Sequence, residues 1–143
     1  FDADENNMNA FSFQIVTPEK IVYKGEITSL VVPGQEGYLG ILAKHAPMLA
    51  TLAAGEVQIK EGGREAASFA ITGGLLEVER NGATILADAA ERSDEIDIQR
   101  AKAARARALE RLLKKSTDID ITRAQAALMR ATNRLHTASK KEQ

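Results

Sequence analysis

The stretch Ala83-Thr-Ile-Leu-Ala-Asp-Ala-Ala-Glu-Arg-Ser93-Asp-Glu-Ile-Asp-Ile-Gln-Arg-Ala-Lys102 changes its period part-way. Ala83 to Ala87 is a short apolar run with β-branched members, set off by the turn pair Asn81-Gly82, and reads as a strand. From Ser93 onward apolar residues recur at three- and four-residue intervals, the spacing of a helix. The chain is therefore expected to be α+β, an N-terminal antiparallel β-sandwich followed by a C-terminal antiparallel two-helix hairpin. Ser93 is the expected cap of the first helix. Asp94, Glu95 and Asp97 would fill its positive first turn, and Lys114-Lys115 its negative last turn.

Upstream, Phe11, Phe13 and Ile15 alternate with Ser12 and Gln14, which predicts one buried and one wet face. Further strands are predicted at 21–23, 27–32, 57–60, 66–71 and 75–79. Asn81-Gly82 and Gly62-Gly63 each suit a type I′ hairpin turn, whose two central residues need positive φ. So many short strands at this spacing point to an antiparallel sandwich or flattened barrel rather than a parallel sheet. In 45–54, Pro47 interrupts any ladder and no element is assigned. Gly34-Gln-Glu-Gly37-Tyr-Leu-Gly40 has the glycines of a phosphate loop but neither a Lys-Ser/Thr pair nor a following helix, and reads as a turn.

Downstream, Thr117 or Asp118 can cap a second helix, with Asp120 early and Lys140-Lys141 late; each helix should span about 20 residues. Ile121, Ala124, Leu128, Ala131, Leu135 and Ala138 make a seam at alternating spacings of three and four. Ala101, Ala104, Ala108 and Leu112 form the facing stripe. Small side chains bury little area, at roughly 25 cal/mol per Å2, so the hairpin is expected to be weakly held and able to move.

The composition divides at the same boundary. Of 143 residues, 44% are hydrophobic and 27% charged, as in an ordinary globular protein; collagen, disulfide scaffolds and simple disorder are excluded. All Gly, Pro and aromatic residues fall at or before position 82, leaving 61 consecutive residues without any. Residues 1–93 carry 7 Lys+Arg against 13 Asp+Glu (net −6), and residues 94–143 carry 12 against 7 (net +5). A basic tail on an acidic body points to an anionic partner for the tail. With no Cys there is no thiolate chemistry, which suits a cytosolic protein. No apolar run approaches the roughly 20 residues that span a bilayer, so direct membrane insertion is not expected. The polar residues before Met8 read as a leader or expression remnant. The expected divisions are thus 1–10 leader, 11–92 sandwich and 93–143 helical hairpin.

Candidate chemistry is confined to the hairpin. His45 and His136 stand far apart with no second ligand at helical spacing, so neither a metal site nor a catalytic triad is predicted. At about 100° per residue, Arg100, Arg107 and Arg111 share one face of the first helix, and Arg123, Arg130 and Arg134 share one face of the second. Forked guanidinium donors suit phosphate or carboxylate, and Asp97 offers an acceptor for an amine or hydroxyl. The plainer alternative is two solvated faces laced by intrahelical Asp-Arg pairs. Basic helices also attract nucleic acid, but the basic half lacks any aromatic for base stacking.

At these residues the chain closely resembles the epsilon subunit family of bacterial F-type ATP synthase, from about Phe11 to Leu135. The resemblance rests on Ile15-Val-Thr-Pro-Glu19, Gly37-Tyr-Leu-Gly-Ile41 followed by His45-Ala-Pro47, Thr72-Gly-Gly-Leu-Leu-Glu-Val78 and Ala83-Thr-Ile-Leu-Ala-Asp-Ala-Ala-Glu-Arg92. Ile96-Asp-Ile-Gln-Arg-Ala101 is similar to the family's nucleotide-binding signature.

The resemblance implies a non-catalytic central-stalk subunit, peripheral on the cytoplasmic face of the bacterial plasma membrane. Its sandwich would dock on the gamma subunit and the rotor ring of c subunits. Its hairpin could extend along gamma to meet the alpha and beta subunits and block ATP hydrolysis. It requires no cofactor; ATP, as a regulatory ligand, would favour the compact, non-inhibiting form. Carried over by position, Glu91, Asp97 and Arg100 would recognise the adenosine part, and Arg107, Arg130 and Arg134 the phosphates. Lys114, Lys115, Arg123, Arg130 and Arg134 would meet the beta subunit. Tyr38 and His45 would meet the c-ring, although Tyr38 stands where many members have Glu, and Ala43-Lys44 where Pro-Gly is frequent. The competing reading is a sandwich adaptor whose basic hairpin binds nucleic acid or an acidic protein.

Overall fold

The computed structural model describes residues 9–114 and 118–139. Its backbone divides at Glu91–Arg92 into two compact units.

The first unit is built from strands β1 (Phe11–Val16), β2 (Ile21–Ile27), β3 (Ser29–Gly34), β4 (Gly37–Leu42), β5 (Met48–Leu52), β6 (Gly55–Glu61), β7 (Arg64–Ile71), β8 (Gly74–Glu79), β9 (Gly82–Ala87) and β10 (Ala90–Arg92). They pair in the order β10-β7-β6-β3-β5-β8-β9-β1-β2, with β4 on β3. The alternation in β1 works as the sequence predicts: Phe11, Phe13 and Ile15 are buried, while Ser12 is exposed. They join Ile27, Leu30, Ile59, Phe69, Ile71, Leu76 and Ile85 in one core. The Tyr23 ring lies between Phe13 and Phe69, with centroids 5.9 and 6.0 Å away. Its hydroxyl donates to the Glu61 carboxylate at the rim.

One pairing departs from the antiparallel pattern. β1 runs parallel to β9, with Phe13 opposite Ala83 and Ile15 opposite Ile85. Residue 82 must be glycine for this approach: a Cβ there would stand 2.6 Å from the Ser12 carbonyl oxygen. The expected hairpin between β8 and β9 forms, with Glu79 opposite Gly82. Its turn is not type I′, however, since neither Asn81 nor Gly82 has positive φ. Gly82 thus serves a neighbouring strand rather than the turn. Gly62 and Gly63, at φ 57° and 79°, do make the expected I′ link between β6 and β7.

Three strands lie outside the predicted set, β4, β5 and β10. β5 starts at Met48, directly after Pro47, so the missing N–H falls just outside the ladder. The glycine-rich 34–40 segment is a tight turn at Gln35-Glu36 flanked by strands, with Gly34 opposite Gly37.

The second unit opens with a 3-10 turn, Ser93–Glu95, followed by helix α1 (Ile98–Leu113) and helix α2 (Asp118–Ser139). Ser93 does not cap α1. Ile96 is buried in an extended conformation, which interrupts the helical turn and hands the cap to Asp97. Asp97 Oδ1 accepts from the Arg100 backbone N–H at 3.1 Å. α1 is consequently shorter than expected, 16 residues, whereas α2 has 22. The joint at 115–117, the Thr117 alternative cap, and Lys140-Lys141 lie outside the described residues. α2 packs along α1 and also meets the 3-10 turn, so its C-terminal end returns to the start of α1. In the seam Ala101, Ala108, Ala124, Ala131 and Ala138 are buried, and the larger Leu112, Ile121, Leu128 and Leu135 are half-buried.

Two substitutions test these constraints. Gly82→Ala should destabilise the sandwich by more than about 2 kcal/mol in urea unfolding, whereas Gly40→Ala should change it by less than about 0.5, because a Cβ at residue 40 meets nothing within 4 Å. Asp97→Ala should cost α1 about 1 kcal/mol and Asp97→Asn only a few tenths, read as amide exchange at residues 98–100.

Candidate functional site

On α1, Arg100, Arg107 and Arg111 are exposed; on α2, Arg123 and Arg130 are exposed and Arg134 is half-buried. Taking about 100° per residue, each arginine row sits roughly a quarter turn or slightly more from its own alanine stripe, in the same rotational sense. Because α2 returns antiparallel to α1, equal offsets in the same sense place both rows on one side of the pair. The hairpin therefore carries six guanidiniums on a single face.

The intrahelical Asp-Arg lacing considered from the sequence does not occur at Asp97, whose carboxylate is used by the backbone of α1 rather than by the Arg100 side chain. Among the described residues no carboxylate lies within ion-pair distance of Arg100, Arg107, Arg111, Arg123 or Arg130. Ion pairs among the described residues include Arg92 with Asp94, 3.3 Å, and Lys114 with Glu110, 3.5 Å and one helical turn apart. Lys114 is also the C-cap, its N–H donating to the Glu110 carbonyl. Lys115 lies outside the described residues. Exposed, un-neutralised cations aligned on one face have a strong local preference for an anion. Glu91, half-buried on β10, belongs to the other compact unit.

The first unit holds a separate surface. Tyr38 and Leu42 project from one side of β4 and are 61% and 63% exposed, while Ile41 on the opposite side is buried. β4 is thus apolar on both faces, yet pairs only with β3. That two-sided apolar pattern is the available sequence signal for an exposed apolar strand. Tyr38 does not swing freely: its hydroxyl accepts from the Glu56 N–H at 3.2 Å. Glycine at 55 makes room for this, since a Cβ there would stand 3.0 Å from the Tyr38 hydroxyl and 2.5 Å from Pro33. Glu56 itself is buried, and its Oε1 accepts from Gln58 at 2.9 Å.

His45 lies in the loop after β4, half-buried, its Nδ1 2.8 Å from the Ala46 carbonyl oxygen and its N–H bonded to Leu42. Lys44 has φ 64°, a conformation that glycine adopts without penalty. The loop thus holds residue 44 in a backbone shape that glycine adopts freely.

Among the described residues no group of three or more His, Asp or Glu could hold a metal ion. No helix among them is long and apolar enough to cross a membrane.

Comparison with known proteins places these features. Residues 10–93 match the family model for the ATP synthase delta/epsilon chain β-sandwich domain, and residues 94–139 the model for its long α-helix domain. The chain is 48% identical to the ATP synthase epsilon chain of Desulforamulus reducens over 101 residues, 71% of this chain and 76% of that one. It is 44% identical to that of Moorella thermoacetica over 108 residues, 76% and 81% of the two chains. A chain in the Euglena gracilis mitochondrial ATP synthase shares the fold, with TM-score 0.78 at 19% identity, covering 87% of this chain and 78% of that chain. One in the Tetrahymena thermophila mitochondrial enzyme superposes with TM-score 0.60 at 17% identity, covering 89% and 95%. With both of its segments matched in order and several bacterial epsilon chains aligned over most of its length, this chain belongs to the ATP synthase delta/epsilon chain family.

Proposed function

We propose that the chain is a non-catalytic rotor subunit that couples the membrane ring and gamma to the catalytic head, and that its hairpin restrains ATP hydrolysis when it opens. ATP is the regulatory ligand and favours the closed hairpin. The observation that carries this reading is the arginine face, five of whose six members are exposed and without a carboxylate partner among the described residues. A triphosphate and an acidic surface of the beta subunit are rival anions for the same side chains. Arg107, Arg130 and Arg134 take the phosphates, and Arg100 with Asp97 and Glu91 takes the adenosine part. Lys114, Lys115 and Arg123 join Arg130 and Arg134 in the contact with the head. Because Asp97 Oδ1 already caps α1, the nucleotide contact falls to its second oxygen.

On the sandwich, the exposed Tyr38 and Leu42 face and the His45 loop meet the rotor ring. Pinning of the Tyr38 hydroxyl supports this, because a rigid aromatic loses little freedom on docking. The chain works at the cytoplasmic face of the membrane as a peripheral subunit, held there by its partners.

Linkage sets the scale of the switch. A ligand that binds only the closed hairpin stabilises it by RT ln(1 + [L]/Kd), about 2.7 kcal/mol at a hundredfold excess over Kd. A weakly packed alanine seam is within reach of such a shift.

Calorimetric titration of the full chain with ATP should give saturable heat, and Arg107→Ala should weaken binding about tenfold or more. Absence of heat with the unaltered chain sinks the ATP reading, and unchanged affinity in the variant sinks the phosphate role. For the docking face, Leu42→Asp should leave the sandwich folded by circular dichroism while cutting recovery with gamma and c subunits. Undiminished recovery would place the rotor contact elsewhere.

A further inference from the structure

The turn between β8 and β9 carries chemistry that its geometry does not need. Asn81 stands exposed there, and its side-chain amide has no hydrogen-bond partner among the described residues. Its φ is not positive, so the left-handed conformation that favours asparagine in tight turns does not explain its presence. Gly82 is fixed by the Ser12 carbonyl oxygen, which leaves no room for a Cβ. The two residues form the only Asn-Gly pair in the sequence. A glycine after an asparagine leaves its backbone nitrogen unscreened by any side chain and so open to the asparagine's own Cγ. Gly82 is also the last rung between β8 and β9 and the first between β9 and β1, and rungs at the end of a ladder open most readily.

We propose that Asn81-Gly82 is a site of spontaneous covalent modification, where asparagine becomes aspartate and isoaspartate and the isoaspartate loosens the start of the β1–β9 pairing. Solvent base takes the proton of the Gly82 amide, and the nitrogen attacks Asn81 Cγ. The N–Cγ bond forms, the Cγ–Nδ2 bond breaks, and Nδ2 leaves as ammonia after taking a proton from water. A cyclic imide remains, with no change of oxidation state. Water then opens it. Addition at Cγ gives aspartate on an unaltered main chain, whereas addition at the main-chain carbonyl gives isoaspartate, whose backbone runs through Cβ and Cγ. Both products carry a new carboxylate, in a groove whose lining already includes Glu26, Glu77 and Glu79. The isoaspartate also lengthens the backbone by one carbon directly before Gly82, where the approach to Ser12 leaves no slack. Neither step draws on the helical hairpin, so this inference stands apart from the proposed function.

Incubation of the folded full chain at mildly alkaline pH, followed by peptide mapping with fragmentation that separates isoaspartate from aspartate, tests both parts. Acid at residue 81 should accumulate about tenfold faster than at Asn133, which is half-buried inside α2. Asn81→Gln should lose almost all of the conversion, because its longer side chain closes a ring far more slowly. Hydrogen–deuterium exchange of the incubated chain should then find amides 82–87 exchanging about tenfold faster in peptides that carry isoaspartate than in those that carry aspartate. An intact Asn81 in the folded chain, with conversion only in urea, would mean that the fold shields the turn, and would overturn the site. Equal exchange in the two products would leave the modification standing and overturn the loosening.

Discussion

The sandwich depends on the approach of β1 to β9, which a side chain at residue 82 would forbid. β1 brings Phe11, Phe13 and Ile15 into the core, and β9 brings Ala83, Ile85 and Ala87. Without their parallel pairing, β1 and β2 would hang from the rest of the sheet only by packing. The aromatic trio of Phe13, Tyr23 and Phe69 then ties β1 and β2 to β7, on the far part of the strand order. A body closed in this way can present β4 as an exposed apolar strand without relying on that strand for its core. Only Ile41 of β4 is fully buried, and its outer side, with Tyr38 and Leu42, is exposed.

The hairpin follows the opposite principle. The fully buried residues of its seam are alanines, with Leu112, Ile121, Leu128 and Leu135 only half-buried, so the helices touch closely while removing modest apolar surface from water. Six of its arginines lie on one side, five of them without a carboxylate partner among the described residues. These features make sense together if the element must be released as well as held. A leucine-rich seam or an ion-paired surface would stabilise one state and leave nothing for a ligand to decide.

Much of this was legible in the sequence because it depends on local rules. The alternation of Phe11, Phe13 and Ile15, the Gly62-Gly63 turn and the change of period after Ser93 each involve residues close in the chain. The grouping of the arginines also follows from helical spacing alone. What escaped reading is non-local or competitive. Nothing near Gly82 announces that its partner is Ser12, and local rules assign the glycine to its own turn. Ser93 and Asp97 are both good capping residues, and the burial of Ile96 between them decides in favour of the second. β4 is hard to see because a strand apolar on its exposed face as well as its buried one breaks the apolar-in, polar-out pattern by which strands are recognised. That Arg100, Arg107, Arg111, Arg123 and Arg130 lack a carboxylate partner among the described residues is a property of distances between side chains, which the order of residues does not contain.

The alanine seam has a thermal consequence. The heat-capacity change of an opening reaction scales with the apolar surface exposed, and this seam has little to expose. If the hairpin opens as proposed, the balance between its closed and open states should therefore lack the strong curvature with temperature that governs the sandwich. Under that proposal the enthalpy of opening, rather than a heat-capacity change, would set how the balance moves as the cell warms or cools.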